Sequence, residues 1–196
     1  LCTLKFIIMH TSSITSEEEL YNKRNRVRIA VSLFYFCQGL VFASWASRIP
    51  VIKENLALTE AQLGTLLLML PVGQLATMAL SGKLVTTYGS SKVLRIMPII
   101  YACLLCMISF AVNAIQLGAV LLAFGIASNM CNIAVNTQGV AAEGIFKKSI
   151  MSSFHGAWSI AGFTGALIGL LTMNIGIDTL THFIIIFVLI VINTLV

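Results

Sequence analysis

Long apolar segments separated by short polar links dominate the chain. Six can be delimited, at residues 27–47, 62–80, 93–112, 117–139, 150–173 and 180–196. The first five are each close to the ~20 residues that an α-helix needs to cross a hydrocarbon core about 30 Å thick. Backbone polar groups find no water in such a core, so we expect helices throughout. The pattern predicts an all-α integral membrane protein with six transmembrane helices in residues 27–196, the last of them truncated.

The composition supports a membrane protein and excludes several other classes. Apolar residues make up 58% of the chain and charged residues 10%, whereas soluble domains have about 25% charged residues. The net charge of +5 comes from short clusters between apolar runs, which argues against a nucleic-acid partner. The five cysteines show no metal-ligand spacing. We therefore expect a lipid bilayer as partner, and no metal and no cofactor.

The distribution of lysine and arginine predicts the orientation. With the amino terminus inside, the inner segments contain Lys5, Lys23, Arg24, Arg26, Arg28, Lys83, Lys92, Arg95, Lys147 and Lys148, and the outer segments contain Arg48 and Lys53. Cytoplasmic loops are enriched in these residues, so the amino terminus and the link at 140–149 are expected in the cytoplasm. The expected location is the cell (inner) membrane.

Residues 1–26 are expected to form a cytoplasmic tail, flexible except for one short helix capped by Ser16. Met9 offers a natural start, and residues 1–8 are then expected to be either upstream read-through, not native to the protein, or the edge of a fragment.

The fourth segment has amides inside its apolar body. At 100° per residue, Asn129, Asn132 and Asn136 share one face of a helix, while Gln138 lies on the opposite side. Polar groups at this depth are costly in lipid, so they usually face a bundle interior or a water-filled path. Two interpretations remain open, which are binding of a polar solute and hydrogen bonding between neighbouring helices.

Other spans contribute further candidates. Ser159 shares a helical face with His155, which is either a proton-coupling group or a neutral, hydrogen-bonded imidazole. In the first segment, Gln38 and Trp45 form an aromatic and amide stripe that fits either a sugar or ordinary packing, and Trp45 could also anchor at the interface. Arg48 ends this segment, where we expect it to extend to the membrane boundary.

Short links and small residues predict the packing of the helices. The links at 113–116 and 174–179 predict tight antiparallel pairs of the third with the fourth helix and of the fifth with the sixth. Gly165 and Gly169, with Gly162 before them, allow close approach of another helix.

Three stretches resemble a known family. The inner link SGKLVTTYGSSK, with Gly82, Leu84 and Gly89, resembles the conformational loop between helices 2 and 3 of the major facilitator superfamily, with Thr86 in place of its aspartate. The stretches ASWASRIPVIKENLALTEAQL, NIAVNTQGVAAE and SSFHGAWSIAGFTGALIG resemble uncharacterised bacterial members of the fucose-permease-like branch. The resemblance implies the amino-terminal half of a twelve-helix fold, whose partner is a missing carboxy-terminal six-helix half.

The function that the resemblance implies is secondary transport by alternating access. The solute is expected to be small and polar, with sugars as the class that the resemblance favours. Asn132 stands where fucose-type symporters have an acid, and an amide exchanges no proton. The alternative is a non-transporting membrane scaffold, or a half-size unit that must dimerise. No catalytic residues are expected, because no span contains an acid that could orient His155 as a base.

Overall fold

The computed structural model describes residues 17–195, and these form eight α-helices. The helices are α1 (Glu17–Asn55), α2 (Glu60–Leu67), α3 (Met69–Ala76), α4 (Met78–Tyr88), α5 (Ser90–Ile108), α6 (Ala114–Phe146), α7 (Met151–Asn174) and α8 (Thr179–Leu195). The all-α prediction is confirmed for this part of the chain. The expected cap at Ser16 lies outside the described residues.

Helix α1 is much longer than its apolar segment. Its 39 residues extend about 58 Å at 1.5 Å per residue, roughly twice the thickness of a hydrocarbon core. Residues 17–26 are helical, so the described end of the expected flexible tail is ordered. Arg24 Nε donates a hydrogen bond to the carbonyl of Ile145 at 3.2 Å, and the guanidinium lies 5.9 Å from the ring centroid of Phe146. These contacts hold the start of α1 against the end of α6.

The second apolar segment is not one helix but three. Its first break, at Leu68, comes three residues before Pro71, whose nitrogen cannot donate to the preceding turn. The second break is at Thr77, whose hydroxyl donates to the carbonyl of Gly73 at 2.7 Å. Such a side-chain bond competes with the helical backbone bond at the same acceptor. The stretch Glu60–Ala76 meets α4 at an angle of 44°.

The expected loop between the second and third segments is almost entirely helical. Gly82 and Leu84 lie inside α4, and α5 begins directly after Gly89, so only Gly89 has a loop conformation. Gly89 has φ 84° and ψ 138°, a conformation that L side chains rarely adopt. The link is thus reduced to Gly89, with Gly82 and Leu84 helical, and a conformational role of the three residues stays a prediction.

The link between α6 and α7 is fixed by one carboxylate. Helix α6 continues seven residues beyond the predicted segment and ends at Phe146, followed by Lys147 in the left-handed region with φ 52°. Glu143 Oε1 accepts hydrogen bonds from Ser149 Oγ and from the backbone N–H groups of Ile150 and Met151, at 2.7–2.9 Å. A carboxylate at this position stabilises the N-terminus of α7.

Fewer spans meet the length criterion than the six predicted. Four helices, α1, α5, α6 and α7, are long and apolar enough to cross a membrane, and the bent pair of 60–76 with α4 gives a fifth if counted as one span. Helix α8 is apolar, but its 17 residues are too few for it to count among these spans. The described chain is thus a multi-pass membrane protein with four or five candidate spans, and six spans are not confirmed.

Glycines allow two close helix crossings. A Cβ on Gly125 of α6 would collide with the carbonyl of Leu70, and a Cβ on Gly73 of α3 would collide with the carbonyl of Leu122. The two backbones therefore meet without intervening side chains.

The second crossing joins α1 and α7. A Cβ on Gly165 would lie 2.8 Å from Ala43 Cβ, and one on Gly169 would collide with Ser47. The expected role of Gly165 and Gly169 in close packing is confirmed, whereas Gly162 has open space beside it.

The antiparallel pairs are only partly as expected. Helices α5 and α6 pack against each other, which confirms the pairing of the third and fourth segments. Helix α8 packs on α5 and α1 and has little contact with α7, so the other predicted pair is wrong. Phe183, Ile186 and Ile190 of α8 are fully buried in the core shared with α1, α5 and α6. Burial of this apolar face, rather than the short link, determines where α8 lies.

Candidate functional site

A chain of hydrogen bonds links α1 to the exposed face of α6. The phenol of Tyr35 donates to Asn136 Oδ1 at 2.7 Å. Asn136 Nδ2 donates to both the backbone carbonyl and the side-chain Oδ1 of Asn132, each at 2.8 Å. Tyr35 is buried, Asn136 is half-buried and Asn132 is exposed. The chain therefore runs from the interior of the helix bundle to its surface.

Helix α7 adds polar groups beside this chain. His155 is exposed and its ring stands edge-on to that of Tyr35, with the centroids 5.4 Å apart. Ser159 is also exposed, and its hydroxyl donates to the carbonyl of His155 at 3.1 Å. The Tyr35 ring also stacks on that of Phe154, with the centroids 5.5 Å apart. Tyr35 is thus the residue at which α1, α6 and α7 meet.

A second polar group lies one helical turn away. Gln38 of α1 donates to the carbonyl of Ser128, and Gln74 of α3 donates to the hydroxyl of the same serine. Both distances are 3.4 Å, longer than the usual 2.7–3.2 Å of a nitrogen donor. Both glutamines are half-buried, so their amides are weakly held and partly accessible. We call Gln38, Gln74, Asn132, Asn136, His155 and Ser159 together the polar face.

Two sequence candidates lie away from the polar face. Asn129 is buried and its amide donates to Ser81 Oγ at 3.0 Å, which joins α6 to α4. Trp45 is 6% exposed and packs against Phe124 and Phe42 in the core. The three asparagines of the predicted stripe are therefore not equivalent, because the buried one bonds a neighbouring helix.

Gln138 lies on the opposite side of α6, as the helical periodicity predicts. It is 2% exposed, and its Nε2 donates to the hydroxyls of Ser90 and Ser91 at 2.7 and 3.0 Å. These serines are the first two residues of α5. The contact joins α6 to the N-terminus of α5, next to the turn at Gly89.

Arg48 is buried between helices toward the carboxy-terminal end of α1. It is 2% exposed, and its guanidinium donates to His182 Nδ1, Thr172 Oγ1 and the carbonyl of Ile177, at 2.9–3.1 Å. The guanidinium reaches the link that follows α7 and is covered there by protein, so its extension to the membrane boundary stays a prediction. The fork of the guanidinium satisfies three acceptors at once, which a solvated position would not require.

Sequence reasoning missed Tyr35. Within an apolar run a tyrosine is usually a packing residue, and its partner Asn136 lies 101 positions away. A usable signal does exist, because Tyr35 precedes Gln38 by one helical turn and so shares its face.

Comparisons with known proteins give distant transporter homologues. The chain is 31% identical to an uncharacterized MFS-type transporter of Yersinia pestis over 139 residues, which are 71% of this chain and 36% of that protein. It is 28% identical over 155 residues to the uncharacterized transporter y4wD of Sinorhizobium fredii, covering 79% of this chain and 41% of that protein. It is 32% identical over 146 residues to the membrane protein MosC of Rhizobium meliloti, covering 74% and 35%.

The chain spans between 35% and 41% of the length of these curated relatives. No family model and no solved structure matches it. The chain is therefore a distant homologue of MFS-type transporters and contains part of their fold. These relatives are named as transporters or as a membrane protein, and none is named as an enzyme.

Proposed function

We propose that the chain is the amino-terminal half of a secondary transporter that moves a small polar solute by alternating access. The observation that supports this most directly is the polar face, in which amides, a histidine and a hydroxyl from four helices lie together within apolar spans. The homology to MFS-type transporters supports the same class of function. The solute class that we assign is polyhydroxylated, with sugars as the first candidates.

The energetics of the polar face favour a pathway over a lipid-facing surface. Asn132 is exposed, and its Nδ2 has no hydrogen bond to any residue in the described range 17–195. An amide donor without a partner is costly in hydrocarbon. Water, solute or another part of the protein must therefore cover it. In the proposed arrangement the second half of the transporter faces this surface, and the solute binds between the halves.

The remaining assignments follow from the same arrangement. We place the amino terminus and the links at Gly89 and at 147–150 in the cytoplasm, since most of the described lysines and arginines lie at that end. His155 is the group that we assign to proton coupling, because it is the titratable side chain of the polar face.

The test uses the full-length protein that contains this chain. A thermal-shift screen of a library of sugars and polyols first identifies a stabilising solute. Uptake of that solute into proteoliposomes is then compared between Asn132→Leu and Thr137→Val. Thr137 is the matched control, because it is exposed on the same helix and its hydroxyl already donates to the carbonyl of Ile133. Loss of uptake in Asn132→Leu alone supports the proposal, and equal uptake in the two variants overturns it.

A further inference from the structure

The hydrogen-bond chain that ends at Asn132 has a fixed direction. The nitrogen and oxygen of a side-chain amide are told apart by their hydrogen-bond partners. A partner that can only accept therefore fixes the orientation of the amide beside it, and through it that of the next amide. The backbone carbonyl of Asn132 is that partner, because it only accepts. It lies 2.8 Å from the Asn136 side chain, which must therefore present its nitrogen there.

The orientation of Asn136 then determines the donors and acceptors at both ends of the hydrogen-bond chain. Because Nδ2 of Asn136 faces the carbonyl of Asn132, its Oδ1 faces Tyr35. The phenol of Tyr35 is therefore the donor in the hydrogen bond of 2.7 Å. The second hydrogen of Asn136 Nδ2 needs an acceptor on the Asn132 side chain, which lies 2.8 Å away. Two amide nitrogens would repel each other at this distance, so Asn132 presents Oδ1 to its neighbour. The Nδ2 of Asn132 consequently points away from Asn136, with both hydrogens free of any described partner.

We infer that this part of the polar face is a donor site that takes an acceptor oxygen of the solute and discriminates against an ammonium group. The inference rests on the proposed function and adds the chemistry of one subsite. Asn132 is exposed and offers two N–H donors, while the side-chain oxygens of Asn132 and Asn136 each already accept one internal hydrogen bond.

The charges near Asn132 support the same inference. The other polar-face residues are neutral amides, a hydroxyl and the basic His155. The nearest described acid in sequence on α6 is Glu143, and its Oε1 accepts three hydrogen bonds at the start of α7. A solute ammonium would thus find no counter-charge among the polar-face residues, and at Asn132 it would face N–H donors, whereas a hydroxyl or carboxylate oxygen would accept from Asn132.

The test compares matched solutes that differ in one group. The probes are glycerol, glycerate and 3-aminopropane-1,2-diol; sorbitol, gluconate and glucamine; and glucose, glucuronate and 6-amino-6-deoxyglucose. Binding to the purified full-length protein is measured by thermal shift, followed by titration of each set that shifts the protein. We expect the ammonium member to bind at least about tenfold more weakly than the better of its two partners, the size expected for one lost hydrogen bond to a charged group.

Two variants separate this inference from a structural role of the same residues. Asn132→Asp keeps the acceptor toward Asn136 and replaces the free donor with an acceptor, so the preference should reverse toward the ammonium member. Tyr35→Phe keeps the ring that stacks on Phe154 and frees Asn136 Oδ1, so the discrimination should shrink without reversing. Thr137→Val should leave the order of the three solutes unchanged.

The outcomes are distinct. An ammonium member that binds as well as its partners, or an Asn132→Asp protein with the original order, overturns the donor site and leaves transport of another solute in place. The absence of binding by all nine probes overturns the donor site as stated. If the sugar and polyol library also gives no stabilising solute, the proposed function fails with it.

Discussion

The buried arginine toward the carboxy-terminal end of α1 gives the sharpest stability prediction. Arg48 joins three elements, because it donates to Thr172 of α7, to the carbonyl of Ile177 in the following link and to His182 of α8. Replacing it with methionine keeps an apolar stem of similar length and removes every donor. The change should therefore loosen α7 and α8 from α1.

The size of the effect follows from the acceptors left behind. Thr172 keeps its own bonds to the carbonyls of Ile168 and Gly169, so its loss is small. His182 Nδ1 belongs to a fully buried ring and loses its donor, and a buried acceptor without a partner costs about 1–3 kcal/mol. The carbonyl of Ile177 is only partly buried, so water can replace the lost donor there. Removing a buried charge also relieves its desolvation, which offsets part of this cost. We expect Arg48→Met to lower the free energy of unfolding by about 1–3 kcal/mol.

The assay is unfolding of the full-length protein by sodium dodecyl sulfate in mixed micelles, followed by tryptophan fluorescence. Lys53→Met is the control, because it removes a cation from the same helix whose exposed ion pair with Glu60 is worth at most about 1 kcal/mol. Arg48→Lys should fall between the wild type and Arg48→Met, since an ammonium group lacks the planar fork. The reasoning is refuted if Arg48→Met is as stable as Lys53→Met.

Two further predictions concern titratable groups. A His155→Gln protein should keep downhill exchange of solute and lose accumulation driven by a pH gradient, and retained accumulation in proteoliposomes would exclude His155 as the coupling group. Asp178 accepts hydrogen bonds from the hydroxyl and backbone N–H of Thr181 at 2.6 and 3.0 Å, and these bonds hold the pKa of its carboxyl below the usual range. Because the folded pKa is lowered, its contribution to stability is present above the unfolded value of about 4 and is lost as pH falls through the folded pKa. Thermal unfolding between pH 3 and 6 should show an acid-dependent loss that Asp178→Asn reduces, and an identical pH profile in the variant would contradict this role.

The positions of the helices could largely be predicted from hydropathy alone. The predicted segment 150–173 differs from α7 (Met151–Asn174) by one residue at each end. Such agreement is expected because the need to satisfy the backbone in lipid leaves few alternatives to a helix. Segment 62–80 is divided among three helices, and it contains Pro71 and Thr77, whose local bonding interrupts the helix. Segments 27–47 and 117–139 lie within helices that extend beyond them.

The contacts between helices were much harder to predict. A helical face can be read from spacing, and this correctly separated Gln138 from the asparagines. It cannot show which neighbour covers that face, so Asn129 and Asn132 looked alike although one is buried against Ser81 and the other is exposed. Long-range packing also decided the position of α8. The direction of the Tyr35 to Asn132 chain required the hydrogen-bond partners, which spacing does not provide.

The central claim is that the polar face lines a solute pathway, and uptake by the full-length protein tests it most directly. With a solute identified by thermal shift, the initial rate of uptake should fall at least about tenfold in Asn132→Leu and stay near the wild-type rate in Thr137→Val. Both proteins should insert and purify in similar amounts. Wild-type uptake in Asn132→Leu would contradict the account and reduce the amides of α6 to contacts between helices.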